Sequence, residues 1–131
     1  MADTTHILST FTPTGGTLTT DANSVLTIGQ GEGKFRAYEM LLGALSHCVF
    51  STFESIAEKM QFSYEKVDLD ITGVKRDEKV ALLKTVAINI TASGVDDQQK
   101  FSKAFEIATR YCSIFQTLSH VAKMSWEISF L

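Results

Sequence analysis

From Ala37 to Met60 the apolar positions recur with helical spacing: Tyr38, Leu41, Leu42, Leu45, Cys48, Val49, Thr52, Phe53 and Ile56 fall at i, i+3, i+4 and i+7 on one face. Residues 40–50, MLLGALSHCVF, are apolar nearly all round, with Ser46 and His47 as the polar exceptions. A helix apolar on most sides must be covered on most sides. The following stretch changes period. Over residues 62–74, Val67, Leu69 and Ile71 alternate with Asp68, Asp70 and Thr72, which predicts a half-buried strand. After the charged turn KRDEK at 75–79, residues 82–92 predict a second strand burying Val86, Ile88 and Ile90. A second helix follows SGVDDQQ, with Asp96 as its expected N-cap, Gln99 three residues on, and a stripe of Phe101, Ala104, Phe105, Ala108, Tyr111 and Cys112. A closing strand, KMSWEISFL, presents Met124, Trp126, Ile128 and Phe130 inward.

The first third reads as short strands. Residues 5–12 are β-branched and aromatic, Pro13 to Gly16 break them, and residues 17–20 and 24–28 continue on either side of a turn at Asp21, Ala22 and Asn23. The glycine-rich connection GQGEGK at 29–34 lacks the full G-x-x-x-x-G-K-[ST] spacing, so it reads as a loop rather than a phosphate cradle.

Three short strands, a long helix, two long strands, a helix, a short turn and a final strand make an α+β chain with a mostly antiparallel sheet. No repeat, low-complexity tract or linker interrupts it, so residues 1–131 read as a single domain. The sheet offers one inward face, whereas the first helix wants cover on nearly every side. A symmetric homodimer that packs the central helices together resolves that conflict.

Composition narrows the function. A formal charge of −3 and a pI near 5.5 give no basic field for a phosphate backbone, so no nucleic-acid partner is expected. MADTTHILSTF lacks the basic and long apolar regions of a secretory signal, and no run reaches the roughly 18 apolar residues of a bilayer span; the expectation is a cytoplasmic chain with no membrane partner. His6, His47 and His120 are scattered and no Cys-x-x-Cys occurs, which argues against a metal site, and no cofactor is implied.

That leaves two cysteines, Cys48 and Cys112, each on the apolar face of a helix. Taken alone, each reads as a small, inert core residue sooner than as a reagent. A permanent disulfide is disfavoured in the cytosol, where a reacting pair is usually transient and catalytic or redox-sensing.

The segments YEMLLGALSHCVFSTFESIAEKMQFSYEKVDLDITG and FEIATRYCSIFQTLSHVAKMSWEISF resemble the two halves of the OsmC/Ohr family, the osmotically induced and organic-hydroperoxide-resistance proteins. The resemblance runs from about Phe35 to the C-terminus with both cysteines in place. It implies an OsmC-like fold, a mostly antiparallel sheet wrapped around two helices, and an intertwined homodimer with long central helices. It further implies a thiol-dependent peroxidase of organic hydroperoxides. Cys48 would attack the peroxide and become a sulfenic acid, Cys112 would resolve it as a disulfide, and a dithiol reductant would restore the pair.

In the family an N-terminal arginine, oriented by a glutamate ahead of the first cysteine, supports the thiolate. Glu39 matches that glutamate, but residues 1–33 hold no Lys or Arg, which leaves Arg36, or less favourably Lys34, as the substitute cation. The family prolines two residues before the glutamate and after the second cysteine are replaced by Ala37 and Ser113. On a continuous helix Glu39 stands about 13 Å along the axis from Cys48 and half a revolution round, so it would act through an irregular first turn or at a partner's site. It is equally an ordinary acidic residue in a helix's first turn. His47 projects about 100° away from Cys48 on a helix and reads as packing rather than as a base. Gln116 and His120 either line the cavity or are loop polarity, and Phe50, Phe53, Tyr111 and Phe115 are core or lining for a peroxide's organic tail. The rival reading keeps the fold and the thiols but binds a small apolar or thiol-reactive ligand at the dimer interface without turnover.

Overall fold

A computed structural model describes residues 3–131. The chain divides into two compact units, Met1–Leu41 and Leu42–Leu131, with the division inside the first helix.

The first unit is built on an antiparallel meander of β1 (Ile7–Thr12), β2 (Gly15–Thr20) and β3 (Val25–Ile28). Its register pairs Ser9 with Leu18 and Leu18 with Leu26, and likewise Phe11 with Gly16 and Gly16 with Ile28. Directly opposed residues share a face, so Ile7, Phe11, Leu18, Leu26 and Ile28 line one side while Thr10, Thr12, Thr17, Thr19 and Thr27 line the other. The Phe11 ring lies against Gly16, where any Cβ would collide with it. The glycine-rich connection folds back on β3: Gly29 N–H donates to Phe35 C=O at 3.1 Å and Phe35 N–H to Thr27 C=O at 2.9 Å. It is a closed turn, in keeping with its reading as a loop.

The first helix, α1 (Ala37–Met60), runs unbroken for 24 residues. It begins with a capping box half: the Glu39 carboxylate accepts from the Arg36 N–H at 2.8 Å, the third helical residue reaching back to the residue that caps the helix. Leu45, Val49, Phe53 and Ala57 form its buried face. With a mean hydropathy of 1.3 over its most apolar window, α1 is long and apolar enough by composition to cross a membrane. Of that apolar surface, the stripe of Leu45, Val49, Phe53 and Ala57 is what the core of the second unit takes up.

The second sheet has the order β4 (Lys66–Lys75), β5 (Leu83–Ser93), β6 (Lys123–Phe130). β4 starts later than the alternation suggests, because Phe62 and Tyr64 are drawn into an aromatic cluster instead. β5 runs antiparallel to β4 and parallel to β6. The parallel pairing needs a long crossover, supplied by α2 (Gln98–Tyr111) and α3 (Ser113–Ser119), the second of which stands where the sequence suggested only a short turn. A bulge in β5 opposite Val74 and Lys75 lets Leu83 and Val86, three residues apart, both point inward alongside Ile88, Ile90 and Ala92. β4 and β6, on the sheet's edges, keep their expected apolar faces but are only half-buried.

Phe53, fully buried, is the hub of the core: its ring meets Phe101 at 4.7 Å, Tyr64 at 5.7 Å, Phe105 at 5.8 Å and Phe62 at 6.0 Å between centroids. These contacts tie α1 to α2. The expected cap at Asp96 falls one residue later: Asp97 accepts from Lys100 N–H at 3.0 Å as the N-cap of α2. Asp96 is engaged elsewhere, accepting from Ser63 N–H at 2.8 Å, a backbone hydrogen bond that holds its carboxyl below the usual range. Gly94 between β5 and α2 has φ +65° and faces Glu65 so closely that a Cβ would collide, so both conformation and space favour glycine there.

Candidate thiol site

Cys48 sits about three turns into α1 and is half-buried, and the Thr52 hydroxyl donates to its carbonyl at 2.9 Å. Its backbone is consumed by the helix, so it can only receive help from elsewhere.

That help comes from the break between α2 and α3. Cys112, 1 % exposed, adopts an extended conformation at φ −73° and ψ 114°, and so serves both helices at once. Its N–H closes α2 on Ala108 C=O at 2.8 Å, its C=O accepts the Gln116 N–H that opens α3 at 3.0 Å, and its Sγ accepts from Phe115 N–H at 3.4 Å in the manner of an N-cap. In an unbroken helix the Thr109 carbonyl would take the Ser113 N–H. Here the Gln116 side-chain amide takes that carbonyl at 3.0 Å.

The two sulfurs, both free thiols, are 2.9 Å apart. Their surroundings push them in opposite directions. Burial raises Cys48, but hydrogen bonds from the Cys112 thiol, the Ile114 N–H, and the hydroxyl and N–H of Ser113 outweigh it, leaving Cys48 below its ordinary value. Burial, the hydrogen bond that Cys112 donates to Cys48, and the charge on Cys48 push Cys112 up to about 11 against the Phe115 and Ile114 N–H groups. Cys48 is therefore the more acidic sulfur of the pair, and Cys112 the one held as a thiol that donates to it.

A profile of the OsmC-like protein family matches residues 29–127. The chain belongs to that family. Among solved structures, this OsmC-like chain is similar to an OsmC-like protein from Mycoplasma pneumoniae, with a TM-score of 0.89 at 15% identity over 100% of this chain and 99% of that one. It is also similar to an organic hydroperoxide resistance protein OsmC from Legionella pneumophila, with a TM-score of 0.72 at 14% identity over 95% and 96% of the two chains. A third is the organic hydroperoxide resistance protein OhrB of Bacillus subtilis, with a TM-score of 0.68 at 14% identity over 97% and 98%. These likenesses establish the α+β fold expected from the sequence. No curated protein matches the sequence.

The other expected site residues of this OsmC-like chain fall into place unevenly. Arg36 and Glu39, in the first unit, pair with each other, Nε to Oε1 at 3.6 Å, and Lys34 donates to Thr14 C=O at 3.2 Å. α1 has no irregular first turn there, and the Glu39 carboxylate is used in the cap. His47 instead lines a cleft of about 390 Å³ between α1 and β4 with Ser46, Phe50, Val67 and Leu69. His120 caps the end of α3 and is exposed, as is Tyr111. Phe53 and Phe115 are core. Among the described residues, no cluster of three or more His, Cys, Asp or Glu side chains is placed to hold a metal.

Ser113 and Ile114 are the residues that sequence reasoning missed as donors. The available signal was the replacement of a family proline by Ser113, which gives the first residue of α3 an N–H and a hydroxyl that proline lacks.

Proposed function

We propose that this protein reduces organic hydroperoxides with Cys48 as the attacking thiolate and Cys112 as the resolving thiol. The observation that carries the reading is the sulfur pair itself: 2.9 Å apart, one sulfur eased toward the thiolate and the other held as a thiol at about 11. The Cys48 thiolate attacks the outer peroxide oxygen, forming an S–O bond as the O–O bond breaks, and the alkoxide leaving group takes up a proton. The Cys112 thiol then attacks the sulfenic sulfur, and the hydroxyl leaves with the thiol proton as water. The two sulfurs must close only from 2.9 Å to the roughly 2.05 Å of a disulfide. An external dithiol returns both to thiols, so one hydroperoxide and two thiols become one alcohol, one water and one disulfide. The likeness to the organic hydroperoxide resistance proteins of Legionella and Bacillus supports the same substrate class.

In this reading the Cys112 thiol takes over the support of the Cys48 sulfur that an arginine gives elsewhere in the family. Donors from the α2–α3 break act on Cys48, and Arg36 is engaged with Glu39. We assign the working form to a cytoplasmic homodimer: α1 buries one stripe in its own unit, while Leu41, Leu42, Phe50 and Ile56 stay only partly covered.

One equivalent of an alkyl hydroperoxide should remove two free thiols per chain, read by thiol titration. Ligand binding without turnover removes none and would overturn the peroxidase reading. Sedimentation of the protein as a monomer would overturn the dimer alone.

A further inference from the structure

We propose that Gln116 holds the two sulfurs together: its side-chain amide straps α3 to α2 across the break at Cys112, and so fixes the Cys112 sulfur against that of Cys48. Gln116 is thus a positioning residue. The role deepens, and rests on, the reading of Cys48 and Cys112 as the reacting pair.

The helical path fails at Cys112, whose ψ of 114° turns the chain out of α2 before α3 begins. Such a break leaves carbonyls at the end of the first helix without their usual partners. Gln116 grips the break from both sides. Its N–H donates to Cys112 C=O at 3.0 Å, and its Nε2 reaches past Cys112 to donate to Thr109 C=O, also at 3.0 Å. Thr109 is a buried residue, where a backbone acceptor needs a partner.

Each helix is anchored separately. Phe105 and Ala108 of α2 and Phe115 and Leu118 of α3 are buried, while α1 runs unbroken past Cys48. The joint between α2 and α3 is where the sulfurs could part. Cys112 sits at that joint, 1 % exposed, its Sγ accepting from Phe115 N–H at 3.4 Å and donating to Cys48 Sγ at 2.9 Å. A side-chain hydrogen bond across the joint sets the angle at which that contact is made.

Holding the sulfurs in contact removes in advance the freedom that a disulfide must otherwise freeze. Without the strap the dithiol form gains freedom, whereas the disulfide form, tied by its own bond, gains little. Loss of the strap therefore shifts the pair toward the dithiol. A hydrogen bond that served the fold alone would stabilise both forms equally and leave their balance unmoved.

The test is the equilibrium of the full chain with glutathione at a fixed neutral pH. The dithiol chain and one oxidised glutathione give the Cys48–Cys112 disulfide and two reduced glutathiones. The disulfide fraction is read by mass spectrometry after acid quenching, over a series of glutathione ratios. Gln116→Ala should lower the equilibrium constant several-fold, up to about tenfold, the span of a single hydrogen bond. Gln116→Glu keeps the length of the side chain, but a carboxylate accepts and cannot donate to a carbonyl, so it should lower the constant at least as far. Gln116 is exposed, so neither variant opens a cavity in the core. A constant equal to or above the parent's in either variant overturns the assignment, as does a parent chain that forms no Cys48–Cys112 disulfide at any ratio. Glutathione exchange asks nothing of a peroxide. A protein that consumes no hydroperoxide yet shows these shifts would defeat the peroxidase reading and leave the role of Gln116 standing; one that turns over hydroperoxide with unmoved constants would do the reverse.

Discussion

Cys48 and Cys112 are 2.9 Å apart, yet they sit on backbones of opposite kinds. Cys48 lies inside a continuous 24-residue helix, where every neighbouring N–H is already spent. Cys112 lies at a break, where one helix ends, another begins, and several N–H groups are left over. The Cys112 side chain answers one of those N–H groups, accepting from Phe115 at 3.4 Å, and itself donates to the other sulfur. The difference teaches that the acidity of each thiol here follows from its burial and from the direction of the hydrogen bond between the two sulfurs, which the break in the helix puts in place. The more buried sulfur, next to the break, is held as the thiol, and the sulfur on the complete helix is the one eased toward ionisation.

The largest test of that asymmetry is to remove one sulfur. Cys48→Ser should reduce peroxide consumption by at least about a thousandfold, because a hydroxyl is a far poorer nucleophile at neutral pH; a variant that still consumes peroxide refutes the assignment of the two roles. Next comes the scaffold that holds the sulfurs in register. Phe53→Ala removes the ring joining α1 to Phe101 and Phe105, and should cost about 3–5 kcal/mol in denaturant unfolding.

Cys112→Ala should leave a single burst of sulfenic acid on Cys48, detectable by a dimedone-type probe, while turnover with a dithiol stops. It also removes a donor to Cys48, so alkylation of Cys48 near neutral pH should slow by up to about tenfold. The asymmetry has a pH signature in stability as well. From the ordinary thiol value of 9.0 up to about 11, the unfolded chain has lost the Cys112 proton while the native state keeps it. The native state binds more protons there, so stability falls as pH rises through that window. Denaturant unfolding at pH 8.5 and 10.5 should show this fall, and Cys112→Ala should lessen it.

The smallest effect is at the far end of α1. Glu39→Ala removes the carboxylate that accepts the Arg36 N–H, and should cost about 1 kcal/mol or less. A large change in Cys48 alkylation in the same variant would mean that the carboxylate serves the site of a second copy.

Much of this was legible along the chain. The periodicity of Leu45, Val49 and Phe53 marked the buried face of α1, and the alternation of Val67, Leu69 and Ile71 marked β4, because burial of one face is a local pattern. Between two adjacent aspartates, capping was decided at a distance: Ser63, over thirty residues upstream, captured Asp96 and left Asp97 to cap α2. The parallel pairing of β6 with β5 could not be read locally either, since it depends on how α2 and α3 carry the chain back across the sheet.

For the site, the residue types and spacing by themselves determined that two thiols lie on apolar helical faces in a chain of one recognisable family, with no Lys or Arg in residues 1–33. What only the tertiary structure decided is what surrounds each sulfur, so that Cys48 is eased toward ionisation and Cys112 is held as the thiol. Ionisation of a partly buried group depends on donors within a few ångströms, and those on Cys48 come from residues 112–114, more than sixty positions away along the chain.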